Sequence, residues 1–278
     1  MSLLSDRAAF ARLVTALQPW LDQVVVAGGW AHRLHRLHPL AQAVDHEPLV
    51  TLDADIVIPR SVGTDHTKLR DRLVKAGFSP QFLGDARPPI VHYSLADAES
   101  EFYAEFLTNL TGHGYRRDGS RDETMQLGGV SAQKLRNLEV LLVAPWSVRL
   151  SESVGYPVGP GKVEILVPSA VAYVAQKLMA FKTRRGAKRG KDLLYIHDTI
   201  ELFGAALPAL HDVWQHAVQP ELTRRQLTRI RSTAQTYLGA VNDAVLEAVE
   251  AAGPARRGLH AKGLAAACRL GYDEIFGD

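Results

Sequence analysis

The chain has 278 residues, a length that allows about two domains and a sizeable core. Hydrophobic residues make up 46% of it and charged residues 22%, which excludes an intrinsically disordered protein. The 32 basic and 30 acidic residues leave a formal net charge of +2. Contact with nucleic acid would therefore have to come from local basic patches rather than from the overall charge.

The single cysteine and the positions of the charged residues exclude further classes of protein. Cys268 has no partner for an intramolecular disulfide or a cysteine-rich zinc site, and its apolar neighbours predict a small core residue. Charged side chains follow the first residue too soon for a signal peptide. No run of residues approaches the roughly 20 apolar residues of a membrane span. We therefore expect a cytoplasmic protein without membrane contact.

Apolar periodicity predicts alternating helices and strands in the first part of the chain. Apolar side chains recur at helical spacing over residues 6–17, with Ser5 as the N-cap. Helical patterns also cover residues 30–37 and 67–76, the second closed by Gly77. Short apolar runs predict strands at residues 21–27, 49–58, 90–95, 101–107, 138–143 and 163–167.

The pattern changes at Ser169, after which helical periodicity dominates. The two halves together predict an α+β fold, in which a mixed sheet with flanking helices is followed by a helical domain. We expect the domains to cover residues 1–167 and 168–278.

Two acidic residues share one face of the strand predicted at residues 49–58. Side chains alternate along a strand, so Asp53 and Asp55 project from one face while Leu52 and Ala54 project from the other. Adjacent carboxylates repel each other and need a compensating cation. Mg²⁺ is the natural candidate, because it prefers carboxylate oxygens together with water and substrate phosphates. The alternative is a strand edge whose acids simply face solvent.

A pair of glycines follows the strand predicted at residues 21–27. Gly28 and Gly29 would let backbone N–H groups approach a phosphate, and the helix that follows favours negative charge at its N-terminus. A tight turn is the simpler alternative. Just beyond the glycines, Trp30 and His32 are candidate contacts for a nucleotide.

A third acid lies in the strand predicted at residues 101–107. Glu105 falls within an apolar alternating pattern and would bring a further carboxylate beside the first two. Glu101 has the same parity and competes for this role, but its place at the start of the strand favours a solvated side chain.

The glycine pair, the Asp53-x-Asp55 strand and the later acid together resemble the nucleotidyltransferase fold shared with DNA polymerase β-like enzymes. In the helical part, residues 176–181 and 191–195 resemble the Lys-Leu…Arg…Lys-Asp signature of AbiEii-type nucleotidyltransferases. That family includes toxins of bacterial toxin–antitoxin and phage-defence pairs. The four motifs lie within residues 24–200.

The resemblance implies a magnesium-dependent enzyme that takes an NTP as substrate and uses two ions. It implies that Gly28 and Gly29 hold the triphosphate. It also implies that Asp53 and Asp55 bind Mg²⁺, with Glu105 completing the triad and helping to activate the attacking group.

For the helical domain, the resemblance implies that Lys177 and Lys191 bind the nucleotide phosphates and that Asp192 orients neighbouring basic residues. It further implies an RNA acceptor, with the 3′ end of a tRNA as the first candidate, and an antitoxin as a protein partner. Two alternatives stay open. One is nucleotidyl transfer to a small molecule such as an aminoglycoside, and the other is a non-catalytic protein of the same fold that binds a nucleotide or a partner.

Two positions depart from the family pattern. Gly29 and Asp53 are 24 positions apart, a longer gap than is common in the superfamily, which indicates an insertion over residues 37–48. Where relatives often carry an acid three residues after the Lys-Asp pair, this chain has Tyr195. Asp198 is the next acid, but it falls on a different helical face.

Basic clusters and histidines give weaker signals. Residues 177–191 hold seven basic side chains and no acid, which favours contact with phosphates. The second cluster is more simply a solvated helix face, and it comprises Arg224, Arg225, Arg229 and Arg231. Three histidines recur every third residue without an accompanying acid, and we expect them on the surface: His32, His35 and His38.

Overall fold

The computed structural model describes residues 3–62, 68–95, 101–253 and 258–277. The chain forms two compact units. The first comprises Met1–Leu34 and Val50–Val167, and the second comprises His35–Leu49 and Pro168–Asp278. Division into independently folding domains at residue 167 stays a prediction.

A mixed sheet dominates the first unit, and the predicted α+β class is confirmed. The strands of this sheet are β1 (Val25–Ala27), β2 (Asp53–Val57), β3 (Phe78–Leu83), β4 (Ile90–Leu95), β5 (Tyr103–Asn109), β6 (Thr124–Leu127), β7 (Val130–Leu135), β8 (Trp146–Leu150) and β9 (Val163–Val167). Their order is β3-β4-β5-β2-β1-β9-β8, and β7 pairs with both β5 and β6.

The centre of the sheet is built from β1, β2 and β5. Strand β2 runs antiparallel to β1 and parallel to β5, and β4 runs antiparallel to β5. Alternate residues of β2 and β5, such as Ile56 and Phe106, are buried on one face. The opposite face of the same strands is polar and partly exposed, because the alternation places Asp53, Asp55 and Glu105 there.

The helices of this part of the chain are α1 (Leu3–Leu17), α2 (Gly28–His35) and α3 (Leu69–Lys75). The core beneath them contains an aromatic cluster in which Trp30 stacks on Phe10 at a ring distance of 4.1 Å and meets Phe102 edge-on. Trp30 is fully buried. It is therefore a core residue and not a contact for a nucleotide base.

The second unit is helical. Its helices are α4 (Ala170–Ala180), α5 (Ala187–Leu202), α6 (Leu207–Val213), α7 (Arg224–Tyr237), α8 (Asp243–Ala252) and α9 (Ala261–Phe276). Two glycines permit close packing around α5. A Cβ on Gly190 would lie 2.5 Å from the backbone of Glu247 in α8, and one on Gly271 of α9 would lie 2.3 Å from Ile200. Cys268 is buried in this core, as its neighbours predict.

The insertion between the glycines and Asp53 belongs to this helical unit. The backbone N–H of Gln42 donates to the carbonyl of Leu202 at 2.8 Å, and its side-chain amide donates to the carbonyl of Glu201 at 2.8 Å. His46 Nε2 lies 3.1 Å from a carboxylate oxygen of Glu201. The segment Leu37–Pro48 is therefore fastened to the C-terminal end of α5.

Several predicted elements differ from the structure. The strand predicted at residues 138–143 is wrong, because a 3₁₀ helix forms over Glu139–Leu142 between positive-φ residues Asn137 and Ala144. Sequence patterns also missed four strands: β3, β6, β7 and β8. The polar turn expected between the strands at 90–95 and 101–107 lies outside the described residues, as does Thr67. The side chain of Ser5 is likewise not described.

The prediction of surface histidines is wrong for two of the three. His32 is 1% exposed and His35 is fully buried, while His38 is intermediate. The reason is that α2 is a core helix with no solvent face at these positions. His35 Nε2 lies 2.8 Å from the carbonyl of Pro168, and the ring meets Tyr173 edge-on.

The described residues contain no single helix of the length and apolar character needed to cross a membrane. The bent pair Ala187–Leu202 and Gly204–Glu221, angled at 67°, meets that requirement jointly by length and composition alone.

Burial of His35 makes stability depend on pH. Burial lowers the pKa of His35 from 6.5 to about 4. Since the unfolded chain binds the proton more readily, the folded state loses stability as the pH falls from 6.5 towards 4. Between about pH 7.5 and about pH 5, this one group should lower the free energy of unfolding by about 2 kcal/mol.

Urea unfolding of the wild type and of His35→Gln, which keeps an N–H donor but does not titrate, measures this contribution. The contributions of all other groups are common to both proteins and cancel in the difference. An identical pH dependence in the two proteins would contradict the assignment.

Candidate active site

The candidate active site begins where β1 passes directly into α2. Gly28, the first residue of the helix, has a φ of +61°, and a Cβ there would lie 1.9 Å from Oδ2 of Asp55. Any other residue would meet both an unfavourable backbone conformation and a carboxylate. The chain therefore brings the N-terminal turn of α2, with Gly29, against Asp55.

The predicted carboxylate pair lies on the polar face of β2. Asp53 and Asp55 are partly exposed, whereas Ala54 and Ile56 between and beside them are fully buried. Thr51 donates its hydroxyl to a carboxylate oxygen of Asp53 at 2.6 Å. That hydrogen bond orients the Asp53 carboxylate at the edge of the polar face.

Glu105 joins the pair through the register of β2 and β5. Asp55 lies directly opposite Glu105 in the parallel ladder, and Asp53 lies opposite Tyr103. All three carboxylates therefore project from the same face of two adjacent strands. Glu101 precedes β5 and is exposed, so the strand does not carry it.

The combined negative charge acts on Tyr103, which sits between the acids. Burial, together with the charges of Asp53, Glu105 and Asp55, raises the pKa of Tyr103 to about 12. The phenol therefore stays neutral at physiological pH and can donate a hydrogen bond at this face.

His92 is a residue of this site that the sequence analysis missed. It lies opposite Glu105 on the antiparallel strand β4, and its Nε2 is 2.8 Å from a carboxylate oxygen of Glu105. Its ring stacks on Tyr103 at 4.6 Å with an interplanar angle of 10°. Burial lowers the pKa of His92, and the charge of Asp53 partly opposes that shift. The alternation of β4 was the available signal, since it places His92 on the half-exposed face.

The donor set of this face fits a hard divalent cation. Carboxylate oxygens are the ligands that Mg²⁺ prefers, and three of them project from neighbouring strands above a buried apolar face. The Asp55 carboxylate occupies the space that a Cβ at Gly28 would fill, so it lies against the first residue of α2. The arrangement can therefore bind divalent cations together with the phosphates that these cations coordinate.

The second unit contains the other predicted site residues. Lys177 and Asp192 form a buried ion pair, with Nζ 2.6 Å from one carboxylate oxygen, and Arg184 contacts the other oxygen at 3.1 Å. The ammonium of Lys177 also lies 4.8 Å from the ring centre of Tyr195. Lys191 lies 5.8 Å from the same ring. Asp192 thus orients two cations at once.

A second group of metal-ligating side chains lies at the other end of α5. Ligand atoms of His46, Asp198 and Glu201 lie within 4.8 Å of one another. His197 Nδ1 is 3.1 Å from Asp198 Oδ1. His46 joins the insertion to α5 through Glu201, and this group involves none of the acids of the first unit.

Comparison with known proteins identifies the class. The sequence profile of a family described as nucleotidyltransferase matches residues 5–219, which is most of the chain. The chain belongs to this nucleotidyltransferase family, and the resemblance of its sequence to nucleotidyltransferases is confirmed. The protein is thus an enzyme of nucleotidyltransferase fold. A comparison with curated protein sequences finds no match.

Three solved structures are similar to the chain at low identity. An antigenic nucleotidyltransferase-like protein from Paracoccidioides brasiliensis has 16% identity and a TM-score of 0.43, covering 89% of this chain and 93% of its own. JHP933 from Helicobacter pylori has 14% identity and a TM-score of 0.41, covering 96% and 88%. MenT4, a nucleotidyltransferase toxin from Mycobacterium tuberculosis, has 12% identity and a TM-score of 0.41, covering 96% and 82%.

Substitution of Gly28 tests the close approach to Asp55. In Gly28→Ala the new methyl group must displace the Asp55 carboxylate, so we expect at least a tenfold loss of Mn²⁺ affinity, measured by electron paramagnetic resonance. Gly77→Ala is the matched control, because Gly77 also has a positive φ but a Cβ there meets nothing within 4 Å. It should cost only about 1 to 2 kcal/mol of backbone strain. Equal Mn²⁺ affinities in the two variants would show that Gly28 serves the backbone alone.

Removal of one partner tests the buried pair of the second unit. Lys177→Met leaves Asp192 with only the half-exposed Arg184, and it should lower the free energy of unfolding by about 3 kcal/mol. Lys188→Met, at an exposed position of α5, should change it by less than about 0.5 kcal/mol. Urea unfolding at neutral pH compares the two, and equal effects would argue against a structural ion pair at Lys177.

Proposed function

We propose that the protein is a magnesium-dependent nucleotidyltransferase that transfers a nucleoside monophosphate from an NTP to RNA, with the 3′ end of a tRNA as the acceptor. One observation carries the proposal. Asp53, Asp55 and Glu105 share one face of adjacent strands, directly beside a helix N-terminus that only glycine allows to come so close. Asp53, Asp55 and Glu105 would hold two Mg²⁺ ions, which neutralise charge on the triphosphate and on the attacking oxygen when bound.

The chain's own groups bind and orient the nucleotide. Gly28 and Gly29 are the first residues of α2. Their backbone N–H groups donate to the triphosphate, and the helix dipole favours negative charge at this end of the helix. In the transfer, the acceptor hydroxyl oxygen forms a bond to the α-phosphorus, the bond to the bridging oxygen breaks, and pyrophosphate leaves. One carboxylate oxygen of Glu105 accepts the proton of that hydroxyl, and His92 holds the other carboxylate oxygen of Glu105.

The basic residues of the second unit take the remaining role. Lys177 and Lys191 neutralise the nucleotide phosphates, and Asp192 holds Lys177 and Arg184 in place for this purpose. The Lys-Leu…Arg…Lys-Asp resemblance extends the proposal to a biological role, in which the protein is the toxin of a bacterial toxin–antitoxin pair and an antitoxin protein is its partner.

The test is transfer of label from each α-³²P-labelled NTP to total bacterial RNA in the presence of Mg²⁺. Asp53→Asn and Asp55→Asn should each lower the rate by at least about a thousandfold, because both carboxylates are needed to hold the Mg²⁺ ions that neutralise charge on the phosphates. The matched control is Glu101→Gln, which removes an exposed acid outside β5 and should leave the rate within twofold. Label in a tRNA-sized band supports the acceptor, and the active NTP identifies the donor.

Two outcomes would contradict the proposal. Label transfer that survives in Asp53→Asn and Asp55→Asn would place the chemistry elsewhere. Transfer to an aminoglycoside, but to no RNA, would replace the acceptor while retaining the site.

A further inference from the structure

An open basic groove lies in the helical unit, formed by the 3₁₀ turn Phe181–Thr183 that follows α4 and by one face of α7. Its volume is about 590 Å³. Its lining residues are Lys182, Arg224, Arg225, Thr228, Arg229 and Ser232. Four of these six side chains are cationic and the other two are hydroxyls, so the lining has no carboxylate.

Helical spacing produces this surface. Arg225, Arg229 and Ser232 recur at intervals of four and three residues, which aligns them along one side of α7. The other side of the helix, with Ile230 and Ala234, is buried in the core. The basic face is therefore fixed in orientation by packing on its opposite side.

The lining cations of α7 have no acidic partner in the part of the chain that the structure describes. Lys182 Nζ donates to the hydroxyl of Ser232 at 3.2 Å, and no ion pair joins Arg224, Arg225 or Arg229 to a carboxylate there. Arg189 provides the contrast, since both its Nε and its Nη2 bind the carboxylate of Glu247 at 2.8 and 2.6 Å. Four neighbouring positive charges without an anion repel one another, and binding of a polyanion removes that repulsion.

We propose that this groove binds the sugar–phosphate backbone of an RNA. Arginine forks match phosphate oxygens, and the hydroxyls of Thr228 and Ser232 can meet ribose 2′-hydroxyls. Lys182 lies five residues beyond Lys177 on a continuous helical run, a rise of about 7.5 Å. The groove thus adjoins the residues that the proposed function assigns to the nucleotide. The inference rests on that function only for the identity of the RNA as acceptor.

The test measures RNA binding without catalysis. The probe is a fluorescein-labelled RNA hairpin with a single-stranded 3′ end, and fluorescence anisotropy of the full-length protein gives Kd between about 50 and 200 mM salt. Arg225→Ala/Arg229→Ala should raise Kd at least tenfold. It should also lower the slope of log Kd against log salt by about 1.4, since each single-strand phosphate contact contributes about 0.7. Arg225→Lys/Arg229→Lys should restore most of the slope.

A charge-matched control separates the groove from net charge. Arg121→Ala/Arg149→Ala removes two exposed arginines that pair with Glu123 and Glu164 in the first unit, and it should change Kd less than twofold. Wild-type Kd and slope in the groove variant would overturn the proposal. Displacement of the RNA by polyglutamate at equal charge concentration would also overturn it, in favour of an acidic polypeptide.

Failure of the proposed function gives a different result. Loss of all nucleotidyl transfer with RNA binding that still depends on Arg225 and Arg229 would leave the groove as an RNA site on a protein with another activity.

Discussion

The contact between the backbone at Gly28 and the carboxylate of Asp55 is the constraint on which the candidate site depends. Strand β1 can pass into α2 without an intervening loop only because Gly28 accepts a positive φ and presents no Cβ. The antiparallel pairing of β1 with β2 then puts Ala27 opposite Asp55. The same register fixes the helix N-terminus beside the acids, so positive dipole and negative carboxylates face a common space.

Acids concentrated on one sheet face repel one another, and neighbouring side chains of the first unit contact them. Thr51 and His92 each contact one carboxylate, and Tyr103 remains a neutral phenol between the charges. These groups donate hydrogen bonds but supply no positive charge when His92 is neutral. A divalent cation carrying phosphates has the charge to lower the repulsion among carboxylates on one face, which is why this face supports the proposed magnesium site.

The site residues that could be predicted from the sequence lie in patterns that are visible within a few neighbouring residues. Alternation along a strand is sufficient to put Asp53 and Asp55 on one face, and the glycine pair is visible as a break between strand and helix. Alternation also places His92 on the half-exposed face of β4, but it cannot show the contact with Glu105, which depends on the antiparallel pairing of β4 with β5. His35 failed for a related reason: its burial comes from packing around α2 and not from its neighbours in sequence.

The basic side chains of residues 177–191 differ in the groups that they contact. Lys177, Arg184 and Arg189 each contact a carboxylate of α5 or α8. Lys182, by contrast, faces the arginines of α7. A chain of nearly zero net charge can hold such a groove only by keeping its acids elsewhere, as the sheet face of the first unit does. The sheet face of the first unit is therefore acidic and suited to cations with a triphosphate. The groove is basic and suited to a polyanionic acceptor.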